Sequence, residues 1–300
     1  TTIMKVYLRL SNQNASAGTK KQRIKGFDKL DCIKNLVIEF GKENITIIAD
    51  SLSETFKQQI KTLKGYHHSN DTENVPNLDL RVIHVKYGNG AATYRHAYNL
   101  AIEENDDYTN VYLVEDDFLH RPGSKKAMIE ALDKWEQYTT CYDHPDKYLN
   151  AIDGGNPHIK DDGEITRVMR TDNYHWKITN STVMTFAAKV GRLKLDFPTH
   201  EQFSKDTITD SYRMFMALNE KGIGCVSSIP GLSSHLETAW LSPGYDWENF
   251  DYFGDMPKTK LKLNLPSKLD HHNGEWRAEN DVISQGSANP QNDDIVVGGM

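Results

Sequence analysis

Residues 111–117 read Val111-Tyr112-Leu113-Val114-Glu115-Asp116-Asp117. Four apolar or aromatic residues in a row suit a strand covered on both faces, as in a parallel sheet. Three carboxylates follow at once, and the aromatic Phe118 comes next. Such a run can be a solvated acidic turn. It can also be a metal site, because like charges at close range repel and a divalent cation with oxygen ligands relieves the repulsion. The apolar strand before the acids and Phe118 after them favour the metal. They also put the acids at the carboxyl end of a strand, where open α/β sheets hold ligands.

Working upstream, residues 3–10, 45–49 and 80–85 are rich in β-formers and predict strands. Leu30, Ile33, Leu36, Val37 and Phe40 recur at helical spacing and predict a helix over 28–40. Residues 53–63 predict a second helix. A third follows Gly88-Asn89-Gly90, with Ala91, Tyr94, Ala97, Tyr98 and Ala101 on one face. This alternation of strand and helix predicts an α/β fold: a mostly parallel central sheet, flanked by helices and joined by right-handed crossovers. Asp50, the Gly88 loop and the acidic run then share one sheet edge. Downstream the pattern is less regular. Strands are expected at 148–152, 165–170, 182–187 and 225–229, and a helix over 207–219, stopped at Gly222. Aromatic residues crowd the segment 240–253, and the residues from 256 to 300 read as an extended polar arm.

The 300 residues suit one large α/β domain or two small ones. With 35 Lys plus Arg against 42 Asp plus Glu, the net charge is -7, so the basic footprint of a nucleic-acid binder is missing. Cys32, Cys141 and Cys225 are odd in number and form no CxxC, which argues against a cysteine zinc site and a disulfide framework. No signal peptide stands at the start, and no run approaches the ~20 apolar residues of a membrane span. A cytoplasmic setting is the expectation. Oligomeric state is not legible.

The strand and its acids resemble the DXD-type motif of GT-A glycosyltransferases, with Glu115 where many members carry Asp. The resemblance spans roughly residues 3–240 and implies a GT-A, Rossmann-like fold. It implies a nucleotide-sugar-binding half at 1–118, an acceptor-binding and catalytic half of the same domain at 119–255, and the arm at 256–300. It implies Asp117 as the chief ligand of Mn²⁺ or Mg²⁺, with Glu115 and Asp116 touching donor or metal. Arg9 and Ser11 would sit where the family grips the base, Asp50 where it places an acid on the nucleotide, and Arg95 where an arginine reaches uracil. His235 would complete the metal shell. Asp210, or Asp206 one helical turn earlier, would be the catalytic base of an inverting enzyme, with Thr209 where the family's helix has Glu. A nucleotide-sugar donor, UDP-sugar favoured, and a glycan acceptor follow as partners.

Plainer readings stand beside these. Asp210 can simply cap its helix, His235 can be structural, and Arg95 can be a solvated helix residue. Trp176 and Trp240 can line a sugar site through the apolar faces of sugar rings, or can be core. Asp153, with Gly154 and Gly155, can bend the chain past the donor sugar. The aromatic segment 240–253 can close over the substrates. A sugar-1-phosphate nucleotidyltransferase and a non-catalytic carbohydrate-binding protein are the rival functions.

Overall fold

The computed structural model describes residues 2–12, 22–65 and 75–250. The first half alternates as expected: β1 (Met4–Ser11), α1 (Lys29–Phe40), β2 (Ile45–Asp50), α2 (Glu54–Lys61), β3 (Arg81–Val85), α3 (Gly90–Glu104) and β4 (Asn110–Glu115). Then come β5 (Phe118–His120), α4 (Ser124–Trp135), β6 (Tyr138–Thr140), β7 (Val168–Arg170), β8 (His175–Ile178) and β9 (Phe186–Lys189). The described chain continues with α5 (Val190–Gln202), α6 (Ser211–Glu220), β10 (Cys225–Ile229) and β11 (Ser233–His235). The polar arm at 256–300 and the aromatics Tyr252 and Phe253 lie outside the described residues.

Nine strands form one mixed sheet in the order β3-β2-β1-β4-β9-β6-β10-β8-β7. The block β3-β2-β1-β4 is parallel. Beyond it β9 runs antiparallel to both β4 and β6, so parallel pairing is confined to that block and to β6 with β10. Helices cover both faces. Met4, Val6, Leu8 and Leu10 of β1 point into a layer with Ile33 and Leu36 of α1 and Met128 and Leu132 of α4. Tyr7 points the other way, against Tyr94 and Ala97 of α3, Leu193 of α5 and Phe215 of α6. That alternation is the period of two of a strand buried on both faces.

The less regular half departs from the sequence pattern in local ways. Residues 145–153 form two short 3-10 turns (Pro145–Tyr148 and Ala151–Asp153) instead of a strand at 148–152. The chain reverses there at Gly154 and Gly155, and a Cβ on Gly155 would collide with the Leu149 carbonyl. The strand expected from 182 starts only at Phe186, because Val183 and Met184 are left-handed (φ 47° and 54°). The helix expected from 207 starts at Ser211. All three cysteines are buried and free. Among the described residues no helix is long and apolar enough to cross a membrane.

Two histidines are buried as neutral rings. His120 Nε2 meets the Tyr112 hydroxyl at 2.8 Å, and His200 lies between the hydroxyls of Tyr94 and Tyr138, each at 2.7 Å. Burial lowers both to about 3. The folded rings stay neutral while the unfolded rings take protons below about 6.5, so stability falls as pH drops through that window. Denaturant titrations at pH 7 and pH 5 should differ by on the order of 1–2 kcal/mol for each histidine. Equal stability at both pH values would show that these rings do not titrate on unfolding.

Candidate functional site

Strand register assembles the site. Arg9 pairs with Glu115 across β1 and β4, and Ser11 pairs with Asp50 across β1 and β2. A cavity of about 200 Å³ opens at this carboxyl edge, lined by Arg9, Ser11, Asp50, Glu115, Asp116, Asp117 and His235. Gly88, Asn89, Gly90 and Thr93 from the start of α3 complete one wall, and Arg23 and Lys29 another. A small sheet holds the rest: β11 pairs antiparallel with β5, and Leu236 N donates to the Asp117 carbonyl at 2.8 Å. The segment at 22–24 clips onto β11's continuation, with Ile24 N on Leu236 O at 3.0 Å and Thr238 N on Gln22 O at 2.9 Å.

The three acids do not stand uncompensated, which corrects the electrostatic reading of the sequence. Arg9 Nη2 lies 3.1 Å from Glu115 Oε1. Lys29 Nζ lies 2.8 Å from Asp116 Oδ2. Arg23 Nη2 lies 3.2 Å from Asp117 Oδ2, and His235 Nε2 lies 3.3 Å from Asp117 Oδ1. Each carboxylate therefore has a cation from the chain, and repulsion alone does not require an added ion. The donor set still fits one. Glu115, Asp117 and His235 each offer a ligand atom, and these atoms lie within 4.8 Å of one another. Two carboxylate oxygens and an imidazole nitrogen suit Mn²⁺ better than Mg²⁺. His235 Nδ1 accepts the Glu237 N–H at 3.1 Å, which directs Nε2 towards the acids.

Asp116 does structural work. Its Oδ2 accepts Ser11 N and Lys29 Nζ, each at 2.8 Å, and Lys29 also reaches the Ser11 carbonyl at 2.6 Å. Those bonds tie the end of β1 to the start of α1. Burial pushes the Asp116 carboxyl up and the Asp117 charge adds to that, while Lys29 and Ser11 N pull it back.

Asp50 is likewise committed to the chain. Its Oδ1 accepts Ser51 Oγ, Tyr87 N and Gly88 N at 2.8, 2.8 and 3.0 Å, and its Oδ2 accepts Thr93 Oγ1 at 2.8 Å. Burial alone would raise its pKa, but these donors outweigh it and the carboxyl lies below its ordinary value. Through these bonds Asp50 shapes the Gly88 loop while it lines the cavity. Gly88 itself needs its freedom, at φ 67°.

Other expected residues fall elsewhere. Trp176 is fully buried in β8, its ring edge-on to Trp135 and its Nε1 bonded to Thr171 Oγ1, so it is core and no sugar platform. Arg95 does not line the cavity, and its Nη1 is buried without a hydrogen-bond partner among the described residues. Asp210 is the N-cap of α6, accepting Arg213 N at 3.0 Å, and Asp206 is exposed, so neither carboxylate lines this cavity. Asp153 is exposed beside Gly154. Trp240 is half-buried at a second cavity. Trp247 and Phe250 pack with Ile24, Leu119 and Leu236 in a satellite core under the small sheet. That makes this part of the aromatic segment support for the site and not a cover over substrates.

Sequence reading missed Arg23 and Lys29. Lys29 could have been found, because it falls on the Ile33 and Leu36 side of α1 at i, i+4 and i+7. Arg23 gave no signal, since its pairing depends on the 22–24 segment meeting β11.

No protein-family model and no curated protein matches the chain. Among solved structures it is similar to CMP:2-keto-3-deoxy-manno-octonic acid synthetase with CTP (TM-score 0.43, 9% identity, 77% of this chain and 92% of that one). It is similar to GalNAc-T7 with UDP, GalNAc and Mn²⁺ (TM-score 0.48, 10% identity, 78% of this chain and 43% of that one). A third is mannose-1-phosphate geranyltransferase from Thermus thermophilus (TM-score 0.42, 9% identity, 75% and 73%). At such identities the chemistry has to be read from the cavity's own residues.

Proposed function

We propose that the chain is a metal-dependent glycosyltransferase of the GT-A type, moving a sugar from a nucleoside-diphosphate sugar to an acceptor hydroxyl. The observation that carries this is the Glu115, Asp117 and His235 donor set beside Arg9, Arg23 and Lys29 at the carboxyl edge of a parallel block. Arg9, Arg23 and Lys29 offset the three acids of the run, and Asp50 leaves the lining net negative. A divalent cation and the two negative charges of a sugar diphosphate cancel each other, so the pair enters together without adding net charge.

A bound Mn²⁺ or Mg²⁺ would supply Lewis-acid neutralisation of the leaving nucleoside diphosphate. Glu115, Asp117 and His235 would hold it. Lys29 stays on Asp116 and keeps the wall in shape. Arg23 is the cation placed to exchange partners: it releases Asp117 and turns to the phosphates, as a guanidinium suits phosphate oxygens in pairs. Asp50 keeps the Gly88 loop, and with it the N-terminus of α3, facing the nucleotide.

The test is calorimetry of UDP and GDP with and without Mn²⁺, followed by transfer assays with UDP-sugars. Mn²⁺ and diphosphate should each tighten the other's binding. In Arg23→Gln, Mn²⁺ alone should bind more tightly, because a competitor for Asp117 is gone, while its coupling to UDP should drop roughly tenfold, about 1.4 kcal/mol. Pyrophosphate release from a nucleoside triphosphate and a sugar 1-phosphate would identify a nucleotidyltransferase instead. Nucleotide binding with no turnover on any donor would leave a binding protein.

A further inference from the structure

A second cavity, of about 230 Å³, adjoins the first through the left-handed turn at 183–184. Thr182 and Val183 line it, while the carbonyl of the next residue, Met184, accepts Arg9 of the first cavity at 3.0 Å. Val183 is β-branched and sits at φ 47°, a conformation that costs on the order of 1–3 kcal/mol and that tends to mark functional sites. Thr182 Oγ1 and Ser211 Oγ, 3.1 Å apart, fix the turn to the start of α6.

The wall behind this cavity is wired by buried polar groups. Lys147 is fully buried with its Nζ 2.9 Å from Glu164 Oε1, and it also reaches Asn180 Oδ1. Asn156 Nδ2 donates to the same Asn180 oxygen at 3.1 Å, and Ser181 Oγ donates to Asp146 Oδ2 at 2.7 Å. A buried ion pair gains little stability, since desolvation offsets the Coulomb attraction. What such a network supplies is fixed orientation: Asn180, Ser181 and Asp146 are held against the cavity before any ligand arrives. Trp240 forms an apolar wall. Its carbonyl accepts the Tyr142 hydroxyl at 2.7 Å, and its ring centroid lies 5.4 Å from that of His144.

The charge of the lining selects the ligand. Among the described lining residues there is no Lys or Arg, and Asp146 carries the one carboxylate. His144 Nδ1, 2.9 Å from Asp146 Oδ1, is the one group of the described lining that can carry a positive charge, and it is already turned to that carboxylate, so an anionic ligand would find no other cation there. Hydroxyls find amide, hydroxyl and carboxylate partners on one side and an aromatic ring on the other.

We infer that this second cavity seats the acceptor as an uncharged polyhydroxylated ring lying on Trp240, and that it rejects phosphorylated and carboxylated sugars. The inference rests on the glycosyltransferase reading and names its acceptor class. The test is saturation-transfer NMR and tryptophan fluorescence with methyl glucoside, methyl galactoside, glucuronate and glucose 6-phosphate, on protein with and without UDP and Mn²⁺. At least one neutral glycoside should bind at least roughly tenfold more tightly than the two anions. Trp240→Ala should lose that binding while UDP–Mn²⁺ affinity is unchanged. Asp146→Asn, which keeps the shape, should narrow the gap between neutral and anionic sugars, an effect that a merely structural residue would not produce. Equal binding of the anions, or unchanged glycoside binding in Trp240→Ala, overturns the inference. UDP–Mn²⁺ binding with no glycoside binding also overturns it and leaves the glycosyltransferase reading standing. Glycoside binding without nucleotide binding removes the acceptor role along with that reading.

Discussion

Asp117→Asn is expected to weaken Mn²⁺ binding by at least about 100-fold, roughly 2.7 kcal/mol, and to remove the Mn²⁺ dependence of nucleotide binding. The substitution keeps the shape and deletes the charge. Asp117 is the acid that faces both His235 and Arg23, so its two oxygens serve the ligand set and the exchanging guanidinium together. A neutral amide at that position cannot hold Arg23 as a salt bridge, and UDP alone should therefore bind no more weakly than in the unchanged protein. Electron paramagnetic resonance of free Mn²⁺ measures the first effect and calorimetry the second. Unchanged Mn²⁺ affinity would show that the acidic run serves only its internal ion pairs.

Lys29→Met is expected to cost about 3–5 kcal/mol of folding stability at neutral pH, the range for breaking one side of a buried pair. Lys29 and Asp116 are each less than a tenth exposed, and Asp117 is a further negative neighbour. Removing the ammonium leaves a carboxylate with neither water nor a counter-ion. Since burial already holds Asp116 above its ordinary value, the cost should shrink as pH falls and the carboxyl takes a proton. The double variant Lys29→Met with Asp116→Leu should recover most of the loss, because no charge is then stranded. Urea denaturation at pH 7 and pH 5 reads all three quantities. A loss below about 1 kcal/mol in the single variant would place the pair in effective contact with solvent.

The parallel block was legible because β1, β2 and β4 are short segments rich in β-formers that alternate with stretches of helical spacing, the pattern of a sheet covered on both faces. Glu115 and Asp117 could be placed at the sheet edge because strand ends follow from strand order, whereas His235 was placed beside them by the resemblance alone. Roles were less legible than positions. Asp50 and Asp116 read as ligands, since a sequence shows a carboxylate without its donors. Only the fold brings Thr93 and the Tyr87 and Gly88 amides to one, and Lys29 to the other. Trp176 stayed open between sugar platform and core because a tryptophan's burial depends on partners such as Trp135, some forty positions away in the chain. The second half resisted for a related reason. Helix α5 carries Pro198 inside it and a mixed surface, and the turn at 183–184 puts a β-branched residue where no pattern predicts a left-handed backbone. The second cavity's wall, built from Lys147, Glu164 and Asn180, is polar throughout and so left no periodic trace.

The central claim is that one divalent ion and one diphosphate share the cavity at the end of β4. Crystals grown with MnCl₂ and UDP, measured at the manganese absorption edge, test it most directly. The expected map has a single strong anomalous peak bounded by Glu115, Asp117 and His235, with the UDP phosphates on its open side and Arg23 turned to them. UDP bound with no manganese peak among those three residues, or with Arg23 still on Asp117, would contradict it.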